Sequence, residues 1–300
     1  MFQIEKRELQ NPLESHYKIS NKNLSAKIYP NLGASLQELI SKNVKIIKGF
    51  EKVEDYKTQH TSSVLFPFPG RIEHGKYTYK DKQYQLDTNE QYRDNAIHGL
   101  VAHQAFELKT HKLSSDQAYL KFAYNYKSPV EGYPFLFRVY LNYTITQNSI
   151  RLSIEIENLN SQSMPFGIGW HPYFHSLDLE QSVLCLKTSK EIECNQEMIP
   201  LQVKPIDFNN PLKIEGKHFD TCYIIDTKEV SIKTNEYIAK IEVFNQEEQY
   251  LQIFTPASRN CIAIEPMSCA PNAFNNQMGL LELKPYSKYF YDAQLSVNVL

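Results

Sequence analysis

The 300-residue sequence has no basic surplus: its formal net charge is −2, which gives no electrostatic footprint for nucleic acid. Arginine is scarce. Only Arg7, Arg71, Arg93, Arg138, Arg151 and Arg259 occur among 32 basic residues, so an arginine set among apolar residues stands out. No stretch approaches the roughly 18 uninterrupted apolar residues of a membrane helix. The opening MFQIEKREL lacks a basic end followed by an apolar run and a cleavage site. The five cysteines (Cys185, Cys194, Cys222, Cys261 and Cys269) form no C-x-x-C pair. Isolated thiols of this kind fit a reducing compartment, so we expect a cytoplasmic protein without disulfides. No G-x-G-x-x-G follows an expected strand and no phosphate loop is present, so a nucleotide cofactor is not indicated.

What is present is alternation. Across residues 149–160, Ile150, Leu152, Ile154 and Ile156 alternate with Arg151, Ser153, Glu155 and Glu157. In 118–127, Leu120, Phe122, Tyr124 and Tyr126 share one face, and 135–146 is similarly rich in β-branched and aromatic residues. A period of two over such lengths predicts strands with one buried face. The same texture recurs at 24–29, 44–47, 77–86, 106–113, 183–187, 230–233, 238–244, 250–255 and 288–299, with Asn, Asp, Ser, Gly or Pro between the segments. Only 51–59 resembles a helix, and its apolar periodicity is thin. Many strands without regular helices between them predict an all-β fold, a large antiparallel β-sandwich or barrel. With 42% hydrophobic and 22% charged residues and no linker or repeat, one domain over residues 1–300 is expected.

Five places carry candidate chemistry. The stretch 167–175, GIGWHPYFH, holds the only tryptophan, and Pro172 biases His171 toward extended backbone. A histidine so fixed, flanked by rings, is either a positioned acid or base or a silent core residue. In VLFPFPGR, Arg71 ends an apolar run, as a salt-bridged edge residue or a fork of donors aimed at a ligand oxygen. In NAIHGL, Gly99 permits a sharp turn beside His98. In CIAIEPMSC, Cys261, Ala263 and Glu265 share one strand face and Ile262 and Ile264 the other. Two small residues beside a carboxylate leave room for a ligand, and Pro266 keeps Glu265 extended; a structural carboxylate is the alternative. In KHFDTCY, Asp220 precedes an expected strand, where a turn or cap role competes. His171 and His175 in one strand would stand about 13 Å apart at roughly 3.3 Å per residue, too far to share an ion, so no metal is expected.

Taken in order, these stretches resemble the aldose 1-epimerase (galactose mutarotase) family. The resemblance rests on Arg71 after a phenylalanine-proline run, on His98 with Gly99, on His171, Pro172, Tyr173 and Phe174, on Asp220 and on Glu265. PNAFN at 271–275 and LKPYSKY at 283–289 add to it, and it spans about residues 64 to 290. One departure is Pro69 and Gly70 before the arginine, where the family often has alanine and asparagine; an amide that would help hold a sugar hydroxyl is missing. The resemblance implies a β-sandwich with an open sugar cleft and a cofactor-free epimerase of free aldohexoses such as glucose or galactose. Glu265 would be the base and His171 the acid, with Arg71, His98 and Asp220 holding hydroxyls, and Phe66, Trp170, Tyr173 or Phe174 supplying an apolar floor. The partner would be a small-molecule sugar, with no nucleic acid or membrane involved, and the protein would be a monomer or homodimer.

Three other readings stand beside it. A hexose 6-phosphate epimerase would want several cations converging with Arg71, and Arg93 is the only nearby candidate. A non-catalytic sugar-binding module would not need an acid–base pair. A hydrolase or lyase would normally want two carboxylates at the bond. If Glu265 and His171 titrate as base and acid, a bell with limbs near the unperturbed values of about 4.3 and 6.5 is expected. A neighbouring carboxylate should then raise the histidine's pKa and widen that window.

Overall fold

A strand with alternating apolar and polar residues is stable only when its apolar face meets another such face. The computed structural model, which describes residues 1–208, 210–245 and 249–300, answers this with two large antiparallel sheets. One has nine strands in the order Glu107–Leu113, Ala118–Tyr126, Phe137–Ile145, Ser149–Asn158, Lys288–Val299, Tyr237–Val243, Glu229–Lys233, Val183–Cys185 and Leu212–Lys213. The other has thirteen, and at its centre Tyr173–His175, Cys261–Met267, Gln249–Phe254, Asp220–Ile225 and Thr188–Cys194 lie side by side. The apolar faces share one core: Phe122 meets the Tyr17 ring edge-on at 5.7 Å, and the Tyr143 hydroxyl donates to the Ala34 carbonyl at 2.8 Å. Burying a side chain such as Phe122 or Phe137, both fully buried, contributes on the order of 1.5–3 kcal/mol.

The expected all-β sandwich is therefore the fold. Ile150, Leu152, Ile154 and Ile156 are all buried, as their alternation requires. Of the thin helical segment, Val53–Asp55 forms a 3₁₀ turn and Tyr56–Gln59 a single α-turn. The stretch 77–86, whose Lys80 and Asp81 read as a turn in the sequence, folds back on itself there. It is a hairpin of Lys76–Tyr79 and Lys82–Gln85, turned by Lys80 and Asp81 at φ +49° and +62°, the positive values a tight two-residue hairpin needs. Strands without clean alternation escaped the sequence reading, among them Gln3–Arg7, Ser35–Ser41 and Pro200–Pro205.

The segments carrying the candidate residues are stitched together by backbone. Leu100 N–H donates to the Phe66 carbonyl at 2.7 Å, and His98 N–H to the Gly70 carbonyl at 2.9 Å. Asn272 N–H donates to the Arg71 carbonyl at 2.6 Å, so PNAFN serves to hold the arginine segment. Between His98 and Leu100 the chain needs Gly99: its φ is +74°, and an added Cβ would lie 2.2 Å from the Phe66 carbonyl oxygen. No side chain fits there without moving backbone. Gly99→Ala should therefore destabilise the protein by about 2 kcal/mol or more in urea unfolding. A change within about 0.5 kcal/mol, the usual range for an innocuous surface substitution, would contradict this packing.

Candidate active site

Register decides what the central sheet presents. Glu265 stands opposite Gln252 and Gln252 opposite Cys222 on the next strand; one row along, Tyr173, Ala263, Phe254 and Asp220 align. Side chains of a strand alternate between faces. Tyr173, Glu265, Gln252, Phe254 and Asp220 thus share the face that lines a cleft of about 390 Å³, within the roughly 300–1,000 Å³ of small-ligand sites. Ile262, Ile264 and Phe174 point the other way and are buried in the core. The room expected above Cys261 and Ala263 is taken by the rings of Tyr173 and Phe254 packed on them. Residues 57–60 and 89–92 supply further lining.

His171 lies just before the strand Tyr173–His175. Its N–H donates to the Ser63 carbonyl at 3.0 Å and its carbonyl accepts from Ser62 N–H at 2.8 Å, which pins the backbone just before Pro172. The ring stacks on Tyr173 with centroids 5.0 Å apart, and its Nε2 lies 3.3 Å from Glu265 Oε1. The side chains are only 6% and 2% exposed. Among the described residues, His171 Nδ1 and Glu265 Oε2 have no hydrogen-bond partner, a condition that buried polar atoms rarely tolerate unless a ligand or water completes it.

Burial dominates the electrostatics of this pair, because removing water disfavours whichever form is charged. It lowers the His171 pKa to about 3 and raises Glu265 well above the ordinary carboxylate value, with the nearby Asp220 adding to the rise and Arg71 partly opposing it. Against the expectation that the carboxylate would lift it, the histidine's pKa is lowered, and burial is the cause. Neutral carboxyl with neutral imidazole, and carboxylate with imidazolium, contain the same number of protons. Burial thus favours the neutral form of each group, with Glu265 Oε1 and His171 Nε2 3.3 Å apart.

His98, Arg71 and Asp220 all reach the cleft. His98, at φ +63°, stands edge-on to His171 with centroids 5.2 Å apart, and its Nδ1 has no partner among the described residues. Burial and the neighbouring His60 and His171 hold its pKa well below the usual value. Arg71 makes a two-pronged contact with Glu90, Nε to Oε2 and Nη2 to Oε1, both at 2.8 Å. Glu90 also accepts from Arg93 Nη1 at 3.0 Å and Asn95 Nδ2 at 3.3 Å. Burial pushes the Glu90 carboxyl up, but these partners, Arg71 foremost, outweigh it and hold its pKa below the usual value. Asp220, the first residue of its strand, accepts from Gln252 Nε2 at 2.8 Å, and burial raises its pKa despite Arg71.

Glu90, Gln252 and His60 were not among the expected site residues. The strand period at 250–255 put Gln252 on the face of Tyr250 and Phe254, so a polar residue there was a usable sign; Glu90 sits in a charged loop with none. Phe66, Trp170 and Phe174 are fully buried in the core, and of the four expected floor rings only Tyr173 lines the cleft. His175 is not among the cleft residues, and among the described residues the cluster with metal-like spacing is Glu73, His74 and Glu197, also outside the cleft lining. No helix among the described residues is long and apolar enough to cross a membrane.

The sequence model of the aldose 1-epimerase family matches residues 15–296. The chain is 30% identical over 279 residues to an aldose 1-epimerase of Streptococcus thermophilus, covering 83% of this chain and 77% of that protein. It is 28% identical over 275 residues to the uncharacterized protein YihR of Escherichia coli K12, covering 86% and 87%. Among solved structures, a galactose mutarotase-like protein from Clostridium acetobutylicum superposes with a TM-score of 0.88 at 20% identity, over 100% of this chain and 99% of that one. A galactose 1-epimerase from Lactobacillus acidophilus superposes with 0.81 at 15% identity over 100% and 99%; at these identities the likeness is one of fold. With a family match across nearly the whole sequence, the chain belongs to the aldose 1-epimerase family.

Proposed function

We propose that this protein interconverts the α- and β-anomers of free aldohexoses such as glucose or galactose, with Glu265 as base and His171 as acid. The observation that carries the reading is the buried 3.3 Å contact between Glu265 Oε1 and His171 Nε2 on a cleft wall. A proton moving along that contact gives carboxylate and imidazolium without exchange with solvent. The carboxylate takes the proton of the anomeric hydroxyl, its electrons form the C1 carbonyl, and the C1–O5 bond breaks as O5 takes the imidazolium proton. Rotation about C1–C2 presents the other carbonyl face. Closure reverses both transfers and returns each proton to its starting residue, so the cycle needs no redox step and no net proton.

Arg71, His98 and Asp220 are assigned to the sugar hydroxyls, with Gln252 holding Asp220 and Glu90 holding Arg71. The guanidinium charge is balanced by Glu90, and Arg93, the other arginine considered for a phosphate, is bound to the same carboxylate. Both guanidiniums thus share one carboxylate instead of converging on a phosphate dianion. This favours a free sugar over its 6-phosphate. A pair of ionisable groups kept in contact while buried costs stability that sugar binding alone would not require, which favours an enzyme over a binding module.

Polarimetry of freshly dissolved α-glucose, α-galactose and glucose 6-phosphate tests the reading. The unaltered protein should speed mutarotation of a free hexose more than that of the phosphate, and Glu265→Gln should lower the rate on the order of 10²-fold or more while staying folded. A Gln variant of near-unaltered rate would make Glu265 structural, and a clear preference for the phosphate would overturn the substrate class.

The pH profile has inverted limbs. Glu265 binds protons more tightly than His171, so the acid limb belongs to the histidine taking a second proton, and the alkaline limb to loss of the shared proton from the carboxyl. The rate kcat/KM should fall on the acid side only toward about pH 3, and on the alkaline side well above 4.5. An acid limb at the ordinary carboxylate pKa of about 4.3 would restore the unperturbed assignment.

A further inference from the structure

His60 has no role in the chemistry above, yet it is built into the cleft. It follows the single α-turn Tyr56–Gln59 in left-handed backbone at φ +48°, with its N–H donating to the Tyr56 carbonyl and its own carbonyl accepting from Ser63 N–H, both at 3.0 Å. The residue is 95% buried at 5% exposure and lines the cleft. Its Nδ1 has no hydrogen-bond partner among the described residues. A buried ring nitrogen without a partner, on the wall of a ligand cleft, is a site for a ligand's polar group.

Its place relative to the acid–base pair says which group. The rings of His171, His98 and His60 follow one another along the wall, with centroids 5.2 Å and then 4.8 Å apart. His60 is thus the member of the row next to His98, one ring removed from His171. In a pyranose, O5 is bonded to C1 on one side and to C5 on the other. With Glu265 at the hydroxyl of C1 and His171 at O5, the ring position beyond O5 is C5, which carries the exocyclic C6 group. We propose that His60 reads the C6 hydroxyl of the sugar and makes the cleft selective for aldohexoses over sugars that lack that hydroxyl. The inference rests on the epimerase reading and adds to it a specificity-determining residue.

The chemistry of the ring fits a hydroxyl. Burial, with His103 and His171 nearby, lowers the His60 pKa to about 3, so the imidazole is neutral near pH 7, donating from one nitrogen and accepting at the other. A hydroxyl offers the matching acceptor and donor. A pentose or 6-deoxy sugar would leave the nitrogen unpartnered. A site that hydrogen-bonds a substrate hydroxyl discriminates most strongly against analogues lacking it.

The test compares kcat/KM on sugars that differ only at C5: glucose, 6-deoxyglucose and xylose, and in the galactose series galactose, D-fucose and L-arabinose. The unaltered protein should prefer the hexose in the series it turns over. His60→Phe should lower kcat/KM on that hexose about tenfold, the loss of one hydrogen bond at a desolvated site, and change it at most about twofold on the sugars without a C6 hydroxyl. His60→Asn, whose side chain suits left-handed backbone, should show the same collapse of the ratio and serves where the phenylalanine variant fails to fold. Equal losses on all sugars, or no loss on the hexose, would overturn the assignment of His60 while leaving the epimerase reading intact. Inactivity of the unaltered protein on all six sugars would sink the epimerase reading, and the role of His60 with it.

Discussion

Two ionisable side chains in contact in a nearly dry site cannot each behave as they do in water. Glu265 and His171 are 2% and 6% exposed and 3.3 Å apart, so the penalty for charging either alone is large. What burial leaves inexpensive is the net-neutral state with one proton between them. The same constraint prepares the site for ring opening, which needs one base and one acid and returns both protons on closure. Water would allow the two groups to titrate independently and would leave only a narrow pH range with both in the working form.

Holding that pair demands precise backbone rather than flexible loops. The carboxylate sits in the middle of a fully buried strand, Cys261–Met267, and the histidine is fixed by two backbone hydrogen bonds to Ser62 and Ser63. The strand register sets Gln252 beside Glu265, and Gln252 in turn holds Asp220. Glu90 fixes the Arg71 fork from the opposite side while balancing its charge. A slip of one residue in the central strands would turn Glu265 into the core and Ile264 into the cleft, so core packing and site geometry are specified by the same pattern.

Much of this was legible in the sequence because it is periodic. Alternation at 149–160 and 118–127 announced buried strand faces, and the parity of 261–265 separated Glu265 from Ile262 and Ile264 correctly. What could not be read was whatever depends on long-range juxtaposition. Glu90 meets Arg71 across 19 positions, and His60 meets His98 only after folding. The rings of GIGWHPYFH looked alike in the sequence, yet Trp170 and Phe174 went to the core and Tyr173 to the cleft. The direction of the histidine's pKa was not legible either: a neighbouring carboxylate suggests a rise, whereas burial lowers it.

The protonation of this pair is the most direct point of attack. Carbon-13 labelling of glutamate side chains and nitrogen-15 labelling of histidine rings allow the Glu265 carboxyl and the His171 imidazole to be followed by NMR as pH is varied in the sugar-free protein, with Glu265→Gln and His171→Asn providing assignments. We expect the Glu265 carboxyl to pass its ordinary pKa of about 4.3 without ionising to solvent, and the His171 ring to gain no proton from solvent as pH falls through about 6.5. Independent titration of the two groups at those ordinary values would contradict the buried one-proton pair on which the chemistry is built.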